Sequence, residues 1–526
     1  MPIDTQLLDR LDLKAAIDKE LSMSNRLMPR RPDRLALSSR SEDLRTLFRN
    51  RYRRGLFGDP GYVVFIEKNR PGRRPITEMS LSDRVLFRAL VDLIAESLPP
   101  HIVKRTPNAD FKKAPVLVPG TRYVSKSDVA SYYEYVDHNR LAVELEGQTG
   151  EATAVAALIE LLGAVMGRRV GLPQVHQSSD ILGDTYIDPA RRRLRRAGYH
   201  VTTYADDFRI ASATLADARA ALEACAREVR TLGLTLNESK TFTYTSVNYL
   251  FSLDAFAKAE KELFEDVDGS SEDLSLLFLS DYSDEAAGSA EDVVRTLAAS
   301  VAQPVLEDDV LEAIKTDVTS DVAPEQVRAA ERAWELWLEE DGSEERVSTT
   351  AAAISETLLE RALPILGRAG NRTPLDRLSV VLRFEPALTP QVTAYIVELG
   401  KTGPAARTAI RRILDALVEE ASFSDWQKIW LAEAAGSVRP ARTDHSHYEW
   451  LERCVSSEDS ALAATAAAAL GRLRRGDAAV LGRALDRVGP AWRTLVLTGM
   501  APLDFQAAED AAEDRLERIL LEELKS

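Results

Sequence analysis

The chain has 526 residues, more than three times the ~150 of a common domain, so a single small module is excluded. Hydrophobic residues make up 45% and charged residues 29%, which excludes a disordered or membrane-embedded composition. The net charge of −16 is unevenly spread. Residues 1–250 hold 38 Lys and Arg against 31 Asp and Glu, so the remaining 29 basic and 52 acidic residues leave residues 251–526 at −23. The first part can attract a polyanion, whereas the second is a poor nucleic-acid surface.

Two cysteines, Cys225 and Cys454, cannot build a disulfide framework. The first twenty residues mix Asp4, Asp9, Asp12 and Asp18 with Lys14 and Lys19 and contain no apolar leader core, and no run of ~18 apolar residues follows. These features predict a cytoplasmic protein with no membrane segment.

In chain order, residues 1–250 alternate helical patterns with short β runs at Tyr62 to Ile66, Ser127 to Ala130, His200 to Tyr204, Phe208 to Ala211 and Thr241 to Thr245. Helices are predicted from Leu81 to Leu98, opening at Ser80 or Ser82, and from Leu215 to Leu232, stopped by Gly233. The fold class of this part is α+β. A boundary is placed near 255, where the β signal ends and an acidic, Ser-rich stretch (Glu265 to Glu285) begins, which gives domains 1–255 and 256–526. Beyond it, Ala- and Leu-rich helical patterns broken by Gly, Pro or Ser predict antiparallel helix pairs. They show no fixed consensus, so a HEAT-like solenoid is a fold-level expectation.

The sharpest local feature is Tyr204-Ala205-Asp206-Asp207-Phe208, which places two adjacent carboxylates at a turn between two β runs. Adjacent acids repel, and a divalent cation held by carboxylates offsets that repulsion; an exposed Asp-Asp turn is the alternative. Asp128 lies 78 residues earlier, where a β run is expected to pass into a helix through Glu134 to Leu141. Strands carrying Asp128 and Asp206 side by side would form a clamp for two metal ions; a helix N-cap is the alternative reading of Asp128. Between them stand Gly171-Leu172-Pro173-Gln174 and a helix opening at Ser178-Ser179-Asp180, while Lys68, Arg70, Arg73 and Arg74 cluster around Pro71-Gly72 and suit phosphate oxygens.

Taken in this order over roughly residues 60 to 250, these pieces resemble the reverse transcriptase family. Lys68 to Ile76 with Asp83 to Leu86 is similar to the fingers segment, Asp128 to Tyr133 to the first palm motif, and Gly171 to Gln174 to the second. Tyr204 to Asp207 is similar to the Tyr-x-Asp-Asp box, Gly233 to Thr241 to the motif after it, and Asn248 to Phe251 to the primer grip. The resemblance implies a right-hand fingers and palm. It implies Asp128, Asp206 and Asp207 with the Val129 carbonyl as ligands of Mg²⁺ or Mn²⁺, and Lys240 beside the leaving pyrophosphate. Lys68 and Arg74 would hold the triphosphate of an incoming dNTP, Gln174 and Tyr204 would line its site, and Tyr133 would stand against a sugar 2′-hydroxyl. Two positions depart from the pattern: Val175-His176 stands where Gly commonly follows Pro-Gln, and Phe251 replaces the primer-grip Gly.

A palm joined to some 270 further helical residues resembles the abortive-infection and defence-associated reverse transcriptases of bacteria. That implies an antiphage DNA polymerase, RNA-directed or template-independent, with RNA and DNA as partners and a homo-oligomer built through residues 256–526; Tyr282 is the most reachable tyrosine for a protein primer, with an ordinary exposed tyrosine as the favoured alternative. The competing reading is a catalytically silent nucleic-acid-binding scaffold, against which the retained acids argue. Asp444-His445-Ser446-His447 has the look of a metal triad, but no further ligand is recognisable nearby, so a solvated loop is expected. His138 and His176 are expected to make local hydrogen bonds.

Overall fold

The structure, a computed structural model, describes residues 2–23, 27–68, 72–253, 322–340, 350–438 and 445–525. The expected boundary near 255, the acidic stretch Glu265 to Glu285, and Tyr282, Arg70 and Asp444 lie outside them. Among the described residues no helix is long and apolar enough to cross a membrane.

The early aspartates are helix starts. Asp4 accepts from the Gln6 N–H (3.1 Å) and Asp12 from the Ala15 N–H (2.9 Å), opening the helices Thr5–Arg10 and Leu13–Ser22. Strands β1 (Tyr62–Glu67) and β2 (Arg73–Glu78) form an antiparallel hairpin. The helix Leu81–Ala95 starts at Ser80, as expected, and packs against Leu13–Ser22 and Ala152–Met166, burying even Asp83, Arg84 and Arg88.

The second sheet has four antiparallel strands: β3 (Tyr123–Asp128), β4 (His200–Tyr204), β5 (Asp207–Ser212) and β6 (Phe242–Thr245), in the order β4-β5-β3-β6. β3 is the Ser-Lys-Ser-Asp run, polar yet buried, because a central strand is covered on both faces; Ser125 and Ser127 meet Thr243 (3.1 Å) and Thr241 (2.8 Å) across the sheet. Asp128 therefore ends a strand and is not an N-cap. The helix expected through Glu134 to Leu141 is also corrected: a 3-10 turn, Tyr132–Glu134, precedes a helix that begins at His138 behind its cap Asp137. Left-handed backbone at Ser131 (φ 48°) and a bridge between Asp137 and Val170 break the helix between them.

All-helical structure follows. Thr350–Arg368, Thr389–Lys401, Asp425–Ser437, Ser460–Leu473, Arg493–Met500 and Arg515–Lys525 pack each on the next. The helices between them in sequence form outer contacts, Pro404–Leu417 on Ser446–Cys454 and Ala478–Leu485 on Phe505–Ala511. The Ala-rich run Ala461 to Leu470 is wholly buried core, as expected, and small side chains there let backbones meet. A Cβ on Gly499 would fall 2.2 Å from the Ala467 carbonyl oxygen.

The stack folds back onto the N-terminal part. Arg515–Lys525 packs on Pro32–Leu37 and Ser41–Arg53, and Asp425–Ser437 packs on β1. Arg31 donates to Asp33 (2.7 and 2.8 Å) and to the Ala491 carbonyl (2.9 Å) and lies over Trp492, while Asp33 accepts from the Thr494 hydroxyl (2.6 Å). Trp426 donates its indole N–H to the Leu27 carbonyl (2.7 Å).

Candidate active site

Strand register builds the acidic cluster. Asp128, the last residue of β3, pairs directly with Asp207, the first of β5, so both side chains leave the same sheet face. Asp206 sits in the two-residue turn between β4 and β5; its carbonyl accepts from the Val129 N–H (3.2 Å), which ties the turn to the end of β3. Ala205 holds a left-handed φ of 51°, local strain at the turn that carries the acids. Burial, then the charges of Asp128 and Asp207, push the Asp206 carboxyl well above the usual carboxylate range, against a smaller opposing pull from Lys240. Lys240 Nζ stands 3.8 Å from Asp128 Oδ2, and the Asn237 backbone N–H donates to the Asp128 carbonyl (2.7 Å).

Behind the acids on that face lie groups that the sequence reading did not single out. Arg209, buried two residues after Asp207, donates to Asp207 Oδ1 (3.3 Å) and to the Tyr249 hydroxyl (3.2 Å), and Tyr249 donates to the Lys112 carbonyl (2.8 Å). Lys126 lies two residues before Asp128, its pKa lowered to about 6 chiefly by burial and by Arg209. The period-two spacing of these residues from the acids was a readable signal.

Tyr133 is brought to the same region through the 3-10 turn. Its hydroxyl donates to Asp180 Oδ1 (2.7 Å), and its ring lies edge-on to Tyr132. Burial, then Asp180, push the phenol well above its ordinary value, so it remains a donor. A Cβ at Gly183 would sit 3.2 Å from the Tyr132 ring and 3.5 Å from the Tyr133 ring, so the absent side chain seats both aromatics against the helix Gln177–Arg196. Arg105 joins this group to the acidic turn: it donates to Asp184 (2.5 Å) and to the Asp180 carbonyl (3.1 Å) and lies over the Tyr204 ring at 5.3 Å. No sequence spacing pointed to Arg105, about eighty residues from its partners.

Leu172 N–H donates to the Tyr133 carbonyl (2.8 Å), and Gln174 donates to Glu134 (2.9 Å), so the Gly-Leu-Pro-Gln turn is stitched to the Tyr133 segment. Val175 has a left-handed φ of 60°, which explains why glycine suits this position and why a β-branched residue is strained there. His176 accepts from the Ser178 N–H (3.2 Å) and places Nε2 3.1 Å from Glu20; His138 Nε2 donates to the Gly171 carbonyl (2.7 Å). Both are local structural groups, as expected. Lys68 and Arg74 lie on the β1–β2 hairpin, Arg74 opposite Ile66, on the face that buries Val64, Ile66 and Ile76.

The four-stranded antiparallel sheet thus gathers three carboxylates at the end of β3 and the β4–β5 turn. Residues 66–251, about a third of the chain, match the family described as reverse transcriptase (RNA-dependent DNA polymerase), and this stretch is a reverse transcriptase domain. No curated protein matches the chain.

Proposed function

We propose that the protein is a DNA polymerase that uses Asp128, Asp206 and Asp207, with the Val129 carbonyl, to hold two divalent cations. The observation that carries this reading is the convergence of three carboxylates, one pushed strongly upward by burial and then by its two acidic neighbours, at one end of the reverse transcriptase sheet. Such a set of hard oxygen donors in mutual repulsion fits Mg²⁺ or Mn²⁺. When bound, these ions supply activation of a 3′-hydroxyl and neutralisation of phosphate charge. The chain's own groups do the rest: Lys240 neutralises the departing pyrophosphate, Lys68 and Arg74 hold the triphosphate, and Gln174 and Tyr204 line the nucleotide site. Tyr133, fixed through Asp180, stands against the 2′ position of the sugar and selects dNTPs.

We further infer a role in bacterial antiphage defence, with RNA-directed or template-independent synthesis and self-association through the helical stack, read as HEAT-like. What supports this is the pairing of a reverse transcriptase domain with an acidic all-helical region larger than gripping a duplex requires. Incorporation of labelled dNTPs by the purified chain with Mg²⁺ or Mn²⁺, lost in Asp206→Asn/Asp207→Asn, tests the polymerase. Phage challenge of cells expressing either form tests the defence role: equal protection by the variant would separate defence from synthesis. Sedimentation tests assembly, and a monomeric mass would defeat it.

A further inference from the structure

The sequence offered His445-Ser446-His447 without a third ligand; the tertiary structure supplies one. His445 is the N-cap of the helix Ser446–Cys454, with extended backbone (φ −134°, ψ 144°), and His447 is the second residue inside it. This change from extended to helical backbone lets both imidazoles reach one neighbouring helix, Pro404–Leu417. There Asp415 meets both: its Oδ2 lies 2.7 Å from His445 Nδ1 and its Oδ1 lies 2.6 Å from His447 Nδ1, while the His447 backbone N–H donates to Oδ1 (3.1 Å). His447 is 1% exposed, which corrects the expected solvated loop, whereas Asp415 and His445 keep part of their surface open to water.

Two features point past a carboxylate that only accepts hydrogen bonds. Asp415 lies in the last turn of its helix, where the backbone dipole disfavours negative charge and favours a cation. The three side chains also present one ligand atom each within 4.8 Å of one another, and both histidines turn Nδ1 toward Asp415. Bond lengths of ~2.0–2.2 Å in a tetrahedral site would set ligand atoms about 3.3 Å apart, which small side-chain rotations reach from here.

We propose that Asp415, His445 and His447 form a second metal site, separate from the polymerase carboxylates, for one divalent cation of the zinc class with water as fourth ligand. Two imidazole nitrogens and one carboxylate suit Zn²⁺ or Co²⁺ and discriminate against Mg²⁺, which prefers all-oxygen sites. The open side at Asp415 and His445 gives entry and room for the water; buried His447, with its ring 4.2 Å from Tyr448, fixes the inner ligand. The bound ion would staple Pro404–Leu417 to Ser446–Cys454 in the outer layer of the stack.

The test uses the full chain, stripped with chelator and titrated with Co²⁺ in the absence of Mg²⁺. Expected is one Co²⁺ per chain with the intense visible absorption of tetrahedral coordination, displaced by Zn²⁺, and a thermal midpoint raised by Zn²⁺. Both signals should persist in Asp206→Asn/Asp207→Asn and vanish in Asp415→Asn and in His445→Gln, whose metal-free midpoints should stay near that of the parent. Weak absorption of octahedral type, or tetrahedral Co²⁺ retained equally in Asp415→Asn and His445→Gln, would overturn the site. Because the readout is Co²⁺ spectroscopy, a failure here leaves the polymerase reading intact, and the reverse holds too.

Discussion

Within the N-terminal part and at its joint with the helical stack, Glu20, Asp33 and Glu78 each face guanidinium groups, whereas at the end of β3 Asp206 faces Asp128 and Asp207. Glu20 is clasped by Arg84 (2.8 Å) and Arg88, Asp33 by Arg31, and Glu78 by Arg34 (3.3 Å). Burial opposes ionisation at all three, and the cations outweigh it, holding each below the usual carboxylate range. At the end of β3 the balance reverses: burial and like charge act together on Asp206 and outweigh the smaller pull of Lys240, while Arg209 pairs with Asp207. The joint acids have their counterions built in and hold elements together. Asp206 is left in net repulsion, the condition that the divalent cations of the proposed function would relieve.

The largest expected effect breaks the palm side. Asp206→Asn/Asp207→Asn should lower dNTP incorporation on the order of 10³-fold, because losing several kcal/mol of charge stabilisation at tenfold per ~1.4 kcal/mol gives that factor. Asp206→Asn alone relieves repulsion without touching the Arg209–Asp207 pair, so its metal-free thermal stability should rise; a fall would show that Asp206 is structural like the acids at the joint. Asp33→Asn breaks the other side. It should destabilise the chain by about 3 kcal/mol in denaturant unfolding, since it takes the carboxylate away from half-buried Arg31 and buried Arg34, while leaving the β3–β5 geometry in place.

Acid sharpens the contrast. A carboxylate depressed in the folded state lends stability that is fully present above its unfolded value, about 4, and is lost as pH falls through the folded value, about 2 for Asp33. Unfolding followed by circular dichroism should therefore steepen between pH about 4 and 2, and less so in Asp33→Asn; an unchanged profile would remove Asp33 from the account. Tyr133→Ala should raise ribonucleotide use relative to dNTPs about tenfold, worth ~1.4 kcal/mol, measured by competitive incorporation. Retained discrimination would move the sugar gate elsewhere. The smallest effect concerns Val175, between Gln174 on the palm side and His176 beside Glu20. Val175→Gly relieves left-handed strain of about 1–2 kcal/mol but loses packing and adds chain entropy, so the unfolding free energy measured in denaturant should change by under about 1 kcal/mol.

Much of the palm was legible in the sequence because its chemistry is local. The β4–β5 turn, its two carboxylates and the strands beside it depend on neighbours in the chain, and the period-two pattern of a strand carries through from residue to register. The helical stack was legible as helix for the same reason, since apolar spacing and caps are short-range signals. What only the tertiary structure decided depends on groups far apart in sequence. It set Asp128 directly opposite Asp207, placed Arg105 over Tyr204 and beside Asp180, brought Glu20 to His176, and delivered Asp415 to two histidines that looked unsupported. Charges so separated leave no periodicity to read. Their pairing is fixed by desolvation, which makes a buried ionised group costly until the folded chain brings it a partner.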